Sequence, residues 1–139
     1  MVMPTAGYSG TPLAKKLGIK PRSTVAVLDG PDDLDELLAP LPDGVTVRTS
    51  LRGSVDLVVA FFVDAAACKK RLPALAGKIY PDGGLWLAWP KKTSGVATDL
   101  DGSTVRELGL AAGIVDIKVC AIDETWSGLR FVHRVENRT

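Results

Sequence analysis

The chain has 139 residues, 46% of them hydrophobic and 24% charged, with a formal net charge of +1. That length suits a single domain, able to bury about two-thirds of its unfolded surface without metal or disulfide staples. The near-neutral balance argues against a general affinity for nucleic acid or an anionic membrane. The longest apolar run, Leu57 to Val63, is far too short for a bilayer span. Residues 1–20 carry no basic stretch followed by an apolar core, so the expected location is the cytoplasm.

Charge is unevenly spread. Lys15, Lys16, Lys20 and Arg22 precede the first acid, whereas Asp29, Asp32, Asp33, Asp35, Glu36 and Asp43 follow without a base between them. Both stretches read as solvated faces. Cys68 and Cys120 have no CxxC spacing and no neighbouring histidine, which makes them two buried thiols.

In chain order, Gly7 to Pro12 is turn-rich, and Thr11-Pro12 suits the cap and first position of a short helix through Leu17, ended by Gly18. Thr24 to Leu28 is β-branched and apolar, as expected of a strand buried on both faces. Asp32 to Ala39 has Leu34, Leu37 and Leu38 at helical spacing with acids in its first turn, and Pro40 and Pro42 stop it. Val45 to Thr49 is a short strand and Val55 to Phe62 a long central one. About six residues separate them, too few for a crossover helix. An extended return of about 20 Å makes a parallel arrangement tight, and an antiparallel edge strand is the alternative.

From Asp64 the period becomes helical: Ala65, Cys68, Leu72, Leu75, Ala76 and Ile79 form one apolar face through residue 79, with Pro73 expected to kink or split the helix. Pro81 to Gly84 is a turn and Leu85 to Trp89 a strand. A helix follows from near Asp101 to Ala112, with Thr104 and Glu107 matching a capping box and Gly113 as the stop. Ile114 to Ile122 and Trp126 to Arg134, joined by Asp123-Glu124-Thr125, should form an antiparallel hairpin, and the polar tail from Glu136 should fray. The fold class is therefore α/β: one Rossmann-like, mostly parallel sheet with helices on both faces and a C-terminal antiparallel hairpin.

From Asp56 to Arg134, the order strand, helix, Pro81-Asp82-Gly83-Gly84 turn, strand, helix and hairpin resembles the second half of the S-adenosylmethionine-dependent methyltransferase fold. That resemblance implies a Gly-rich cofactor turn after the first strand and a ribose-binding acid at the end of the second. Here the first strand ends in Leu28-Asp29-Gly30-Pro31-Asp32, with one glycine and a proline, and the second in Arg48-Thr49, without the acid. No cofactor is expected on that basis. Gly7 to Gly18, Trp89-Pro90-Lys91-Lys92 and Asp123 to Gly128 together resemble a family of small bacterial proteins catalogued as the domain of unknown function numbered 3052. This second resemblance implies a bacterial cytosolic protein and supplies no activity.

The chemistry of the familiar hydrolases is missing. His133, the only histidine, has no Ser or Cys partner motif, no GxSxG turn occurs, and one His with two distant Cys makes no zinc site. Lys92-Thr93-Ser94-Gly95 resembles a Lys-Thr-Gly motif but lacks its SxxK companion, and neither GxxxxGK[ST] nor GxGxxG is present. In open α/β sheets ligands gather beyond the carboxyl ends of the parallel strands. That edge should carry Lys91, Lys92, Ser94, Asp123 and Trp126, a set suited to an anionic, partly planar small molecule such as a nucleotide or acyl-phosphate. The alternative at each is structural: Asp123 as a cap or ion-pair partner, Trp126 packed under the hairpin. Tyr8 and the two-lysine helix either cover the sheet or dock on a protein partner, and Leu13 and Leu17 favour covering it.

The expected function is a non-catalytic binding or regulatory module on a reduced methyltransferase-like fold. A transferase using S-adenosylmethionine through an unfamiliar loop, and an obligate subunit with an exposed apolar patch, are the alternatives.

Overall fold

The computed structural model describes residues 12–138. The expectations at Tyr8, the Thr11 cap and Thr139 lie outside the described residues. The elements are Leu13–Lys16 (α1), Thr24–Leu28 (β1), Leu34–Leu38 (α2), Thr46–Arg48 (β2), Leu57–Phe61 (β3), Ala65–Ile79 (α3), Gly84–Pro90 (β4), Gly102–Ala111 (α4), Ile114–Ala121 (β5) and Trp126–His133 (β6).

The six strands form one sheet in the order β2-β1-β3-β4-β6-β5. The first four run parallel, and β6 lies antiparallel between β4 and β5. Every residue of β3 and β4 is buried, which is why both read as continuous apolar runs. The extended return from β2 to β3 holds: Val25 pairs with Val47 in parallel register, resolving the direction of β2. At the other edge, β5 exposes Ile117, Lys118 and Val119, and its register shifts between Asp116 and Lys118, an irregularity that blunts an open edge.

Helices cover both faces. On one, α3 and α4 pack Cys68, Leu72, Leu75, Ile79 and Val105 against Val58, Leu85, Leu87 and Phe131. On the other, α1 and α2 pack Ala14, Leu17, Leu34 and Leu38 against Val25, Val59, Phe61 and Trp86. Each fully buried Leu or Ile contributes about 1.5–3 kcal/mol. Contact between α4 and the sheet is close enough that a Cβ on Gly109 would overlap the Phe131 ring. Trp86 Nε1 donates to the Leu17 carbonyl at 2.8 Å, tying the end of α1 to the sheet.

Four local features differ from the sequence expectation. Pro12 has extended backbone (ψ 145) and stands outside α1, which starts at Leu13. Helix α3 is one element through Pro73, because Pro73 is exposed and the carbonyl it cannot reach belongs to exposed Lys69, while the opposite face is anchored in the core. The cap of α4 is Asp101, whose Oδ1 accepts from the Thr104 amide at 2.8 Å, so Thr104 lies inside the helix. The tail forms a 3-10 turn at Val135–Asn137, and Arg138 Nε donates to the His133 carbonyl at 2.8 Å.

Candidate functional site

After β1 the chain crosses to β2 through α2 on one face; after β3 it crosses to β4 through α3 on the other. The crossovers diverge between the carboxyl ends of β1 and β3, and such a switch point leaves a crevice. A cleft of about 680 Å³ opens there. Phe61, Phe62, Val63 and Trp126 give it an apolar floor, and Lys70 and Arg71 on α3 supply its cations.

Both carboxylates of the cleft are already engaged. Asp64 Oδ1 accepts from the Ala66 amide at 3.2 Å and caps α3. Asp29, in left-handed backbone at φ 57, lies 3.9 Å from Arg71. With both side chains exposed, that ion pair contributes little and is free to open. Trp126 meets Phe61 edge-on with ring centroids 5.0 Å apart, leaving its indole in the cleft wall.

Of the five residues singled out from the sequence, Trp126 lines this cleft. Three others build the mouth of the hairpin beside it. Asp123 Oδ1 accepts from the Thr125 amide at 2.8 Å and the Trp126 amide at 2.7 Å. Lys91 Nζ donates to the Asp123 carbonyl at 2.7 Å, and the Lys91 amide donates to the Thr125 carbonyl at 2.7 Å. Ser94 Oγ donates to the Lys91 carbonyl at 2.6 Å and accepts from the Val96 amide, closing the 3-10 turn Lys92–Ser94. Lys92 is exposed on that turn, where its charge acts on Asp101. Beyond the turn, Thr98 Oγ1 donates to the Val63 carbonyl at 2.6 Å and Asp99 accepts from the Ala65 amide, so this loop folds over the start of α3.

His133 faces away from this edge: Nε2 donates to the Ala76 carbonyl at 2.6 Å, and its ring stands edge-on to Tyr80. Among the described residues no group of His, Cys, Asp and Glu could hold a metal ion. Nor is any helix among them long and apolar enough to cross a membrane.

The sequence motifs Trp89–Lys92 and Asp123–Gly128, far apart in the chain, pair directly. Pro90 lies opposite Trp126, Trp89 opposite Ser127 and Ala88 opposite Gly128.

Comparison with solved structures follows the same topology. The chain is similar to an S-adenosylmethionine-dependent methyltransferase from Aquifex aeolicus (TM-score 0.61, 13% identity, 86% of each chain covered). It is also similar to magnesium protoporphyrin IX methyltransferase from Synechocystis PCC 6803 with bound S-adenosylmethionine (0.53, 14%, 88% of this chain and 74% of that one). A third is the ribosomal protein L11 methylase of Lactobacillus delbrueckii subsp. bulgaricus (0.53, 14%, 88% and 75%). The fold is methyltransferase-like. No family model and no curated protein matches the sequence.

Whether the chain fits the cofactor of those enzymes is a question for the turn after β1. There, Asp29, Asp32, Asp35 and Thr49 line a separate cleft of about 380 Å³. A Cβ on Gly30 would crowd Val27 at 2.9 Å and Leu34 at 3.0 Å, so core packing alone accounts for this glycine. Pro31 has no amide to offer, and Thr49 stands at the end of β2 where a ribose-binding acid is implied. The residues present do not fit S-adenosylmethionine in the manner of the family.

Phe61, Phe62, Lys70 and Arg71 were not singled out from the sequence. Their signal was available in the two cations on the outer face of an amphipathic helix, about one and a half turns into the helix that follows a strand end.

Proposed function

We propose that the chain is a non-catalytic binding module on a methyltransferase-like scaffold, taking a small anionic molecule with a flat apolar portion at the carboxyl edge of β1 and β3. The observation that carries this reading is the cleft itself, with aromatic floor Phe61, Phe62 and Trp126 and cations Lys70 and Arg71 at its rim. A planar group stacks against the Trp126 indole, and the anionic group draws Arg71 away from Asp29 and meets Lys70. Lys92 adds a further exposed cation at this edge, while Lys91, Ser94 and Asp123 hold the hairpin mouth that presents the indole. Among the described residues of the cleft none is arranged as a base and nucleophile pair, which is why the reading stops at binding.

The pairing of Trp89–Lys92 with Asp123–Gly128 supports taking the resemblance to domain family 3052 as part of this reading, since those segments meet where the ligand would bind. Cytoplasmic location and bacterial origin belong to the same proposal. A second reading, transfer from S-adenosylmethionine through an atypical loop, is favoured by the ligand-bound methyltransferase among the structural neighbours.

The test is a thermal-shift screen with nucleotides, acyl-phosphates, S-adenosylmethionine and its demethylated product. A ligand at a hundred times its dissociation constant adds about 2.7 kcal/mol, a shift of several degrees. The proposal expects such a shift with an anionic planar compound, lost in Trp126→Ala and in Lys70→Ala. A shift confined to S-adenosylmethionine and its product, indifferent to both substitutions, would favour the transferase instead.

A further inference from the structure

At the opposite edge of the sheet, before the amino ends of β1, β3 and β4, lies a second large cleft of about 520 Å³. Three cations line it: Lys20, Arg22 and Arg130. Of its two carboxylates, Asp56 is engaged, Oδ2 accepting from the Thr24 amide at 2.8 Å, and Asp82 lies on the turn between α3 and β4.

Arg130 is the unusual member. It sits mid-strand on β6, opposite Trp86, and reaches across the sheet so that Nη1 donates to the Leu17 carbonyl at 2.9 Å. Among the described residues its Nε is buried with no hydrogen-bond partner, and neither of their ion pairs includes it. Two glycines make the room. A Cβ on Gly84 would press on the guanidinium at 2.8–3.0 Å, and one on Gly18, at φ +81, would overlap Nη1. Burial lowers the Arg130 pKa, the expected result of withdrawing a cation from water without a counter-charge. A partly buried guanidinium with spare donors, in a cleft lined by two more cations, is the arrangement that captures a planar or tetrahedral oxyanion.

We propose that this cleft is an oxyanion-binding site for a phosphate-bearing small molecule, with Arg130 as its anchor and Lys20 and Arg22 at its mouth. It is distinct from the site at the carboxyl edge and uses none of the same residues. The phosphate binds to donors of Arg130 that Leu17 leaves free, and the two exposed cations supply attraction that weakens with salt. Because Leu17 caps the carboxyl end of α1, occupancy also bears on how firmly that helix end is held to the sheet.

The probe is inorganic phosphate, titrated into the ¹⁵N-labelled chain at constant ionic strength against chloride. Expected are saturable shifts of the Gly18, Ser23, Gly83 and Gly84 amides, with affinity at least about tenfold weaker in Arg130→Gln. If Arg130→Gln fails to fold, the double variant Lys20→Ala, Arg22→Gly takes its place. Both positions are exposed, and glycine relieves the left-handed backbone of Arg22 at φ 65. The same loss is expected there. Shifts that never saturate, or that persist unchanged in the variant that folds, overturn the assignment. A phosphate response confined to the amides of Val63 to Arg71 overturns it as well, since that would assign the anion to the other edge.

Discussion

Asp123→Ala separates a brace from a ligand contact. The carboxylate holds two hairpin amides, Thr125 and Trp126, at 2.8 and 2.7 Å, and the side chain is only partly buried. Water can replace part of what is lost, so the substitution should cost about 2 kcal/mol, like the loss of a good helix cap with a charged acceptor. For a chain of this size that lowers the melting temperature by about 6–8 °C, readable by scanning calorimetry. Asp123→Asn keeps an acceptor oxygen and should recover most of the loss. Lys91 bonds to the Asp123 main-chain carbonyl, which neither substitution removes. A change of under about 1 °C in Asp123→Ala, well below what one lost cap produces, would refute the bracing role. Coupled with loss of ligand binding, that result would make Asp123 a direct contact.

Other outcomes follow from the packing and the charges. Gly109→Ala should destabilise by about 1–3 kcal/mol in urea unfolding despite its gain in helix propensity, because the new methyl collides with the fully buried Phe131 ring. The Asp101 carboxyl is held below the usual carboxylate range, chiefly by the Thr104 amide. Its contribution is complete above the unfolded value of about 4 and is lost as pH falls through the lower folded one. Asp101→Asn should therefore flatten the acid limb of the stability curve below about pH 4, as followed by circular dichroism. Burial pushes the Cys68 thiol up to about 11, so at pH 8 only about one thiol in a thousand is ionised. A disulfide reagent should leave Cys68 unmodified in the native protein and react with it in denaturant.

Strands β3 and β4 were legible because both faces are buried and the apolar run alone marks them. The α3 face was legible for the complementary reason, a helical spacing of core residues. Direction of β2 was not legible, since a three-residue edge strand carries too little pattern and its parallel register depends on pairing with β1. Pro73 misled because local propensity is outweighed when the opposite helix face is anchored in a core. In the site, Trp126 could be found from topology and the capping role of Asp123 was one of the readings its place in the hairpin turn allowed, since its bonds to Thr125 and Trp126 are local. The engagement of Lys91 could not be found, because its bonds to the Asp123 and Thr125 carbonyls arise only when residues more than thirty positions apart become neighbours across the sheet.

The most direct test of the account is calorimetric titration of the wild-type chain and Trp126→Ala with adenosine monophosphate and with S-adenosylmethionine. Saturable binding of the monophosphate that Trp126→Ala abolishes while leaving the melting temperature of the free protein within a few degrees is the predicted result. Tight binding of S-adenosylmethionine that survives Trp126→Ala, with no response to the monophosphate, would contradict it.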